Sequence, residues 1–369
     1  MANGGNQAPL SGRDHVVIFP FMAKGHTLPL LHFATAPLSL YHDALRVTLI
    51  TTPANCAFAH RHLPKSVDLV ELPFPSLPPL PAGVESTDAL PCASMYSTFL
   101  HATALLREPF ADFLASLPSP PLVLVSDFFL GFTHRVAGDA GVRRIVFHGM
   151  SCSTFQVPGM PEHVAITAEE VPESVRKWVC DDGHEDGPVT RFIVDDIGDS
   201  DACSWGVLVN SFAALEQDYV SALESFYYQP GAQAWLVGPL FLAAGGMSSE
   251  LEDPDGCLPA MARPKSVAAG AVGGFVSHGG WNSVSESLAA GKPILVWPMI
   301  AEQPLNARHI VDMIGAGDRV DVKAGTAASS VVEREMVEEK VRTLMDADGE
   351  VGKRVRLRAE SCRKRRGRL

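Results

Sequence analysis

An α/β fold built on parallel sheets and divided into two domains is what this sequence predicts. Short β-branched runs alternate with longer stretches of helical periodicity, the pattern of a parallel α/β sheet. Most of those runs are apolar without interruption, as strands covered on both faces must be. The chain of 369 residues is also long for one domain.

Taken in order, the first strands are VVIFPF (Val16 to Phe21), RVTLIT (Arg46 to Thr51) and VDLVEL (Val67 to Leu72). LVLVS (Leu122 to Ser126), RRIVF (Arg143 to Phe147) and GVLVN (Gly206 to Asn210) follow. Before the fourth, Leu105, Leu106, Phe110, Phe113, Leu114 and Leu117 recur at helical spacing, with a kink expected at Pro109. That stripe reads as core. After AWLVGPL (Ala234 to Leu240) the composition turns to Gly, Ala, Ser, acidic residues and Pro, through Pro259 and Pro264, which marks an interdomain linker. A second α/β unit follows, with strands GGFVS (Gly273 to Ser277), PILVW (Pro293 to Trp297) and DRVDV (Asp318 to Val322). A helix from Val331 to Met345 then carries Met336, Val337, Val341, Leu344 and Met345 on one face. The expected boundaries are an N-terminal Rossmann-like domain over 1–238, a linker over 239–262 and a C-terminal domain over 263–369.

Composition narrows the functional classes. Hydrophobic content of 46% with 20% charged residues is that of a soluble globular protein. A net charge of -12 argues against a nucleic-acid partner, because phosphate binding needs a basic face. Seven scattered cysteines without a C-x-x-C pair read as buried free thiols in a reducing compartment. The polar N-terminus MANGGNQAPLSGRD has no apolar signal core, and no apolar run reaches the ~18 residues of a membrane span, so the expected location is cytoplasmic. G-x-G-x-x-G, a complete P-loop, G-x-S-x-G and H-E-x-x-H are all absent.

Two constellations carry chemistry. The first strand runs into MAKGHTLPLL, where Gly25 permits a tight turn and places His26 at a strand's C-terminal end, the ligand edge of open α/β sheets. Asp127, ending LVLVS, belongs at the same edge. A His26–Asp127 pair there is suited to activating an acceptor hydroxyl; the alternative is that His26 merely packs and Asp127 caps a helix. In the second constellation, strand GGFVS delivers His278, Gly279 and Gly280, and Trp281, Asn282 and Ser283 open the helix NSVSESLAA. Two glycines and unsatisfied helix amides suit a diphosphate. Glu286, one turn on, is placed for ribose hydroxyls, and Glu302 and Gln303 for a sugar. The alternative makes Asn282 and Ser283 caps, Trp281 and Trp297 core, and Glu302 solvated; their clustering favours a site.

The stretch from Phe275 to Asn306 resembles the signature box of the plant UDP-dependent glycosyltransferases. FPFMAKGHTLPLL resembles that family's catalytic-histidine segment, SDFF (Ser126 to Phe129) its aspartate segment, and VLVNSF and LVGPL the run into its linker. The resemblance implies two facing Rossmann-like domains of the GT-B type, with acceptor bound by the N-terminal half and UDP-sugar by the C-terminal half. It implies inverting, metal-free transfer of a sugar, usually glucose, to a hydroxyl of a small lipophilic plant metabolite such as a flavonoid, phenolic or terpenoid. No cofactor is implied beyond the UDP-sugar co-substrate, and a monomer is expected. His26 carries over as base and Asp127 as its orienting partner. His278, Asn282 and Ser283 carry over at the phosphates, with Gly280 and Trp281 completing that turn, Glu286 at the ribose, and Glu302 and Gln303 at the donor sugar.

The chain also departs from the family pattern. The box should begin upstream with Trp-x-Pro-Gln, whose Trp stacks on uracil, yet Gly238 and His278 are only 40 positions apart and ARPKSVAAGAVGG holds neither Trp nor Gln. The C-terminal domain is therefore expected to be incomplete, a three-stranded sheet with an exposed edge. A shorter gap is expected after Cys152. The end, RAESCRKRRGRL, reads as a solvated tail with the family's final helix missing. Gly279 stands where many members carry Cys, a replacement expected to be neutral. The rival reading is a truncated, catalytically silent relative that at most binds small molecules.

Overall fold

Apolar runs become parallel strands wherever both of their faces can be covered. The structure, a computed structural model, describes residues 14–41, 44–154, 159–164, 166, 196–242, 272–320 and 332–366. The N-terminal segment, most of the expected linker, Cys180, Cys257, Val157, Pro158, Asp321 and Val322 lie outside the described residues. The chain divides into two compact units, 1–146 and 147–369.

In the first unit, β1 (Asp14–Phe19), β2 (Leu45–Thr51), β3 (Val67–Glu71) and β4 (Val123–Asp127) lie in the order β3-β2-β1-β4, every pair parallel. Val17, Ile18, Phe19, Leu49, Ile50 and Leu124 are all fully buried although successive residues face opposite sides, so both faces are covered. The helices are α1 (Lys24–Tyr41), α2 (Pro53–His62), α3 (Tyr96–Ala104), α4 (Arg107–Ser116) and α5 (Phe132–Asp139). The expected kink at Pro109 is corrected. The chain breaks between α3 and α4 at Leu105 and Leu106, which puts Pro109 in the first turn of α4, where no intrahelical acceptor is lost. Leu105 leaves the stripe and is 53% exposed, whereas Leu106, Phe110 and Leu114 stay in the core.

β5 (Arg143–His148) carries the chain into the second unit. There α6 (Asp199–Ala202) precedes β6 (Gly206–Val209), and α7 (Ala213–Glu216) and α8 (Val220–Phe226) lead to β7 (Gln233–Leu236), which pairs parallel with β6. A separate three-stranded parallel sheet has the order β10-β9-β8, from β8 (Phe275–Ser277), β9 (Ile294–Val296) and β10 (Gly317–Arg319). Its helices are α9 (Trp281–Ala289), α10 (Gln303–Arg308), α11 (Arg334–Met345) and α12 (Glu350–Arg365). Central β9 divides its side chains between two cores. Ile294 and Val296 join Trp281, Val284, Leu288 and Ala359 on one side, and Leu295 joins Val320, Leu344 and Val355 on the other.

The solvated-tail reading of the C-terminal residues is overturned. Residues Arg358 to Arg365 belong to α12, which packs against α9 and α11 through Gly352, Val355, Ala359 and Cys362. Spacings of three and four put these four residues on one stripe, and the basic residues between them face outward. The cysteine reading is also corrected. Cys152 and Cys362 are buried, but Cys56 and Cys203 are only half-buried and Cys92 is exposed, all as free thiols. No described helix is long and apolar enough to cross a membrane.

Val355 is fully buried and Leu357 is 72% exposed on the same helix. Val355→Ala is expected to lower unfolding free energy by roughly 2 kcal/mol in urea titration, with Leu357→Ala within about 0.5 kcal/mol of the parent.

Candidate functional site

Parallel pairing of β1 with β4, with Phe19 opposite Ser126, brings both C-terminal ends to one edge of the first sheet. α1 starts at Lys24, so His26 lies in its first turn rather than in the preceding loop. Asp88, 64 residues away, accepts the Lys24 N–H at 2.9 Å and caps this helix. His26 Nδ1 lies 2.9 Å from Asp127 Oδ2, and Phe129 N–H donates to Asp127 Oδ1 at 3.1 Å. Asp127 thus bonds His26 with one oxygen and closes its own turn with the other; it does not cap a helix, because the N-cap of α5 is Gly131 and carries no side-chain bond. Its side chain is fully buried and that of His26 is 23% exposed. Phe21, Phe128 and Phe129 surround the imidazole at centroid distances of 5.5, 5.9 and 5.5 Å. A carboxylate at Nδ1 holds the proton there and leaves Nε2 as the basic nitrogen. The buried Arg144 braces this strand end, donating from Nε to Ser126 Oγ at 2.8 Å and from Nη2 to the Asp127 carbonyl at 3.2 Å.

The other constellation lies wholly in the second unit. Ser277 pairs with Val296, so the turn after β8 and the loop after β9 share one edge of the small sheet. His278 is exposed there, and Gly280 sits at the N-cap of α9 with no side-chain capping bond. The first amides of α9 have no intrahelical acceptor and present partial positive charge. Gly279 has a φ of 86°, and a Cβ there would lie 2.5 Å from Val296 Cγ1, so the expectation that Cys would be interchangeable is corrected for this backbone. Asn306, absent from the residues chosen by sequence, is fully buried and donates from Nδ2 to Gly279 O at 2.9 Å.

The sequence-chosen donor residues do not all point the same way. Trp281 is 2% exposed and donates its indole N–H to Asn210 O at 3.1 Å, which leaves its backbone amide as what it can offer a ligand. Asn282 Oδ1 accepts from Asn210 Nδ2 at 2.9 Å. Gln303 is 7% exposed, and its Oε1 accepts the N–H groups of Met299 and Ile300 at 2.8 and 3.0 Å, tying down the loop before it. That loop holds Ala301 at a φ of 52°, a strained conformation for a residue with a Cβ, immediately before Glu302. Ser283 and Glu302 are half-buried at the same edge. Burial pushes the Glu286 carboxyl up from 4.5 to about 8. No group of three or more His, Cys, Asp or Glu residues arranged to hold a metal occurs among the described residues.

A family profile described as glycosyltransferase, N-terminal domain, matches residues 14–242, and one described as UDP-glucoronosyl and UDP-glucosyl transferase matches 268–345. UDP-glycosyltransferase 90A1 of Arabidopsis thaliana is 30% identical, the alignment covering 93% of this chain and 89% of the relative. The chain belongs to the UDP-glycosyltransferase family. Another Arabidopsis thaliana relative, flavonol 3-O-glucosyltransferase UGT89B1, is 28% identical over 83% of this chain and 84% of its own length. The solved structure of Glycyrrhiza uralensis UGT73P12 with glycyrrhetinic acid 3-O-monoglucuronide superposes with a TM-score of 0.74 at 22% identity, covering 96% of this chain and 91% of that one, and supports the GT-B fold. As a UDP-glycosyltransferase the chain is short: the alignment to the 90A1 relative spans 434 positions against 369 residues here. Residues 243–267 fall in neither family profile.

Two outcomes follow from this geometry. Gly279→Ala is expected to cost about 1–3 kcal/mol in denaturant titration, because it combines a positive φ with a clash against packed Val296. Because the folded-state value of Glu286 stands above its unfolded value, its contribution to stability is intact below about pH 4.5 and is lost as pH rises towards 8. Glu286→Gln should flatten the fall in stability between about pH 5 and pH 8, read as thermal midpoints across that range.

Proposed function

We propose that this UDP-glycosyltransferase transfers a sugar, glucose, from a UDP-sugar to a hydroxyl of a small lipophilic plant metabolite such as a flavonoid, phenolic or terpenoid, with inversion and in the cytosol. The His26–Asp127 hydrogen bond of 2.9 Å is the observation that carries this reading. His26 Nε2 takes the acceptor's proton as its oxygen forms a bond to the anomeric carbon, and Asp127 stabilises the imidazolium. The bond from that carbon to the diphosphate oxygen breaks on the opposite face, and UDP departs with the electron pair. The first amides of α9, with His278, Asn282 and Ser283, offset the charge on the diphosphate, while Glu286 receives the ribose and Glu302 and Gln303 the sugar. On functional lines the division proposed is an acceptor half over 1–238, a linker over 239–262 and a donor half over 263–369, acting as a monomer. The flavonol glucosyltransferase among the relatives supports the acceptor class and the sugar.

A second reading is favoured by one observation, the stretch of residues 243–267 that neither family profile matches. Under it the chain is catalytically silent and at most binds small molecules. Loss of a uracil-stacking side chain would cost about 1–3 kcal/mol, by analogy with other base–aromatic contacts, weakening UDP roughly ten- to hundredfold.

Incubation with UDP-glucose and a panel of phenols should release UDP, and His26→Ala should lower that release by about 10²- to 10⁴-fold. UDP affinity by titration calorimetry should be the same in both proteins. Absence of heat with millimolar UDP, together with no UDP release, would overturn the transferase reading in favour of the silent one.

A further inference from the structure

Asn306 lies in α10 and is fully buried, yet only one end of its amide is engaged. Its Nδ2 donates to Gly279 O at 2.9 Å and reaches Glu302 Oε1 at 3.5 Å. Its Oδ1 has no hydrogen-bond partner among the described residues. Both neighbours of the nitrogen are acceptors, which fixes the amide: reversed, it would set an oxygen against the Gly279 carbonyl. Burying an unpaired oxygen costs stability, and an apolar side chain at this position would avoid that cost. What the amide supplies, and an apolar side chain could not, is the bond to Gly279 O.

That carbonyl belongs to the peptide group between two glycines. Such a peptide rotates through half a turn at little steric cost, because neither flanking residue carries a Cβ, and the rotation exchanges the directions of its C=O and N–H. The Gly279 N–H is held separately, donating to Ser277 Oγ at 3.1 Å, so the following peptide is the one that Asn306 controls. The peptide is trans, and its two polar groups point opposite ways; a C=O held towards buried Asn306 sends the Gly280 N–H to the other side. No described residue accepts that N–H. It stands at the N-cap of α9, next to the first amides of that helix. The His278 ring lies alongside, since a Cβ on Gly280 would be 2.5 Å from its Nε2. An N–H suits an anion there, whereas a rotated peptide would set a carbonyl oxygen against it.

We propose that Asn306 is a positioning residue for the donor substrate, locking the Gly279–Gly280 peptide with its N–H towards the diphosphate and its carbonyl away from it. This rests on the assignment of the turn from His278 to Ser283 to the diphosphate made above. Asn306 touches no part of the substrate and acts only through that peptide.

The substitution Asn306→Asp tests this, because it keeps the shape of the side chain while an ionised carboxylate accepts where the amide donated. The peptide then turns its N–H inward and its carbonyl towards the anion. UDP affinity by titration calorimetry is expected to fall at least tenfold in Asn306→Asp and by less in Asn306→Ala, which frees the peptide without reversing it. Equal losses in the two variants, or losses that follow their thermal midpoints, would overturn the proposal and leave Asn306 a purely structural residue. The Gly280 amide reports the lock directly in assigned 1H–15N correlation spectra. Without ligand it should shift in Asn306→Asp, and in the parent protein it should shift on addition of UDP. Asn306→Ala carries the same spectral comparison should the buried charge unfold Asn306→Asp. An amide that substitution at Asn306 leaves unmoved overturns the lock, and one that bound UDP leaves unmoved overturns its role at the diphosphate. If the parent protein binds no UDP while the amide does shift on substitution, the lock stands and the donor reading above fails.

Discussion

Parallel pairing is the constraint on which both constellations depend. A parallel sheet delivers the C-terminal ends of all its strands to one edge, so residues far apart in sequence meet without any local motif joining them. Phe19 opposite Ser126 brings His26 and Asp127 together across 101 residues. Ser277 opposite Val296 does the same for His278 and the loop that carries Glu302 and Gln303. Each pair of strands thus acts as the scaffold of its own set of polar side chains, and the chemistry follows from register.

Buried polar groups then decide how those side chains stand. The Asp127 carboxyl is shut off from solvent, and its oxygens are engaged by His26 and by the Phe129 amide while Arg144 holds its carbonyl. Glu216 meets the same problem differently. It is fully buried, burial raises its pKa, and Ser151 donates to its Oε1. A carboxyl group kept towards its neutral form avoids part of the desolvation cost of burial. The two differ in location: Asp127 lies beside half-buried His26, whereas Glu216 fastens the Ser151 turn to α7.

Features written in contiguous residues were legible in the sequence. Apolar strands were found to within one or two residues in the first unit, and His26 and Asp127 were identifiable because each follows such a run. The turn from His278 to Ser283 was legible because glycines, a histidine and a helix start are adjacent in the chain. Arg144, Asn210, Asp88 and Asn306 were not, because each acts on a partner brought near only by folding, and nothing in their own neighbourhoods distinguishes them. Gly279 was misjudged for a related reason: its φ and its contact with Val296 belong to the folded turn. The break at Leu105 and the helix at the C-terminal end were missed because a proline and a cluster of basic residues were read as local signals. In the fold, helix position decides the first and a four-residue apolar stripe the second.

The small sheet shows why short strands need not leave it without a core. Its strands have three residues each, too few for a two-stranded ladder to persist alone. β9 is covered on both faces, by α9 on the side of Ile294 and Val296 and by Leu344 and Val355 on the side of Leu295. α12 belongs to both cores at once, since Val355 enters one and Ala359 and Cys362 enter the other. A single amphipathic helix thereby contributes apolar side chains to both cores of the small sheet. The consequence is a separation of two problems. Packing around β9 supports the turn that presents His278 and the amides of α9, so the geometry of that turn is set by apolar burial and its chemistry by the polar groups the burial leaves at the edge.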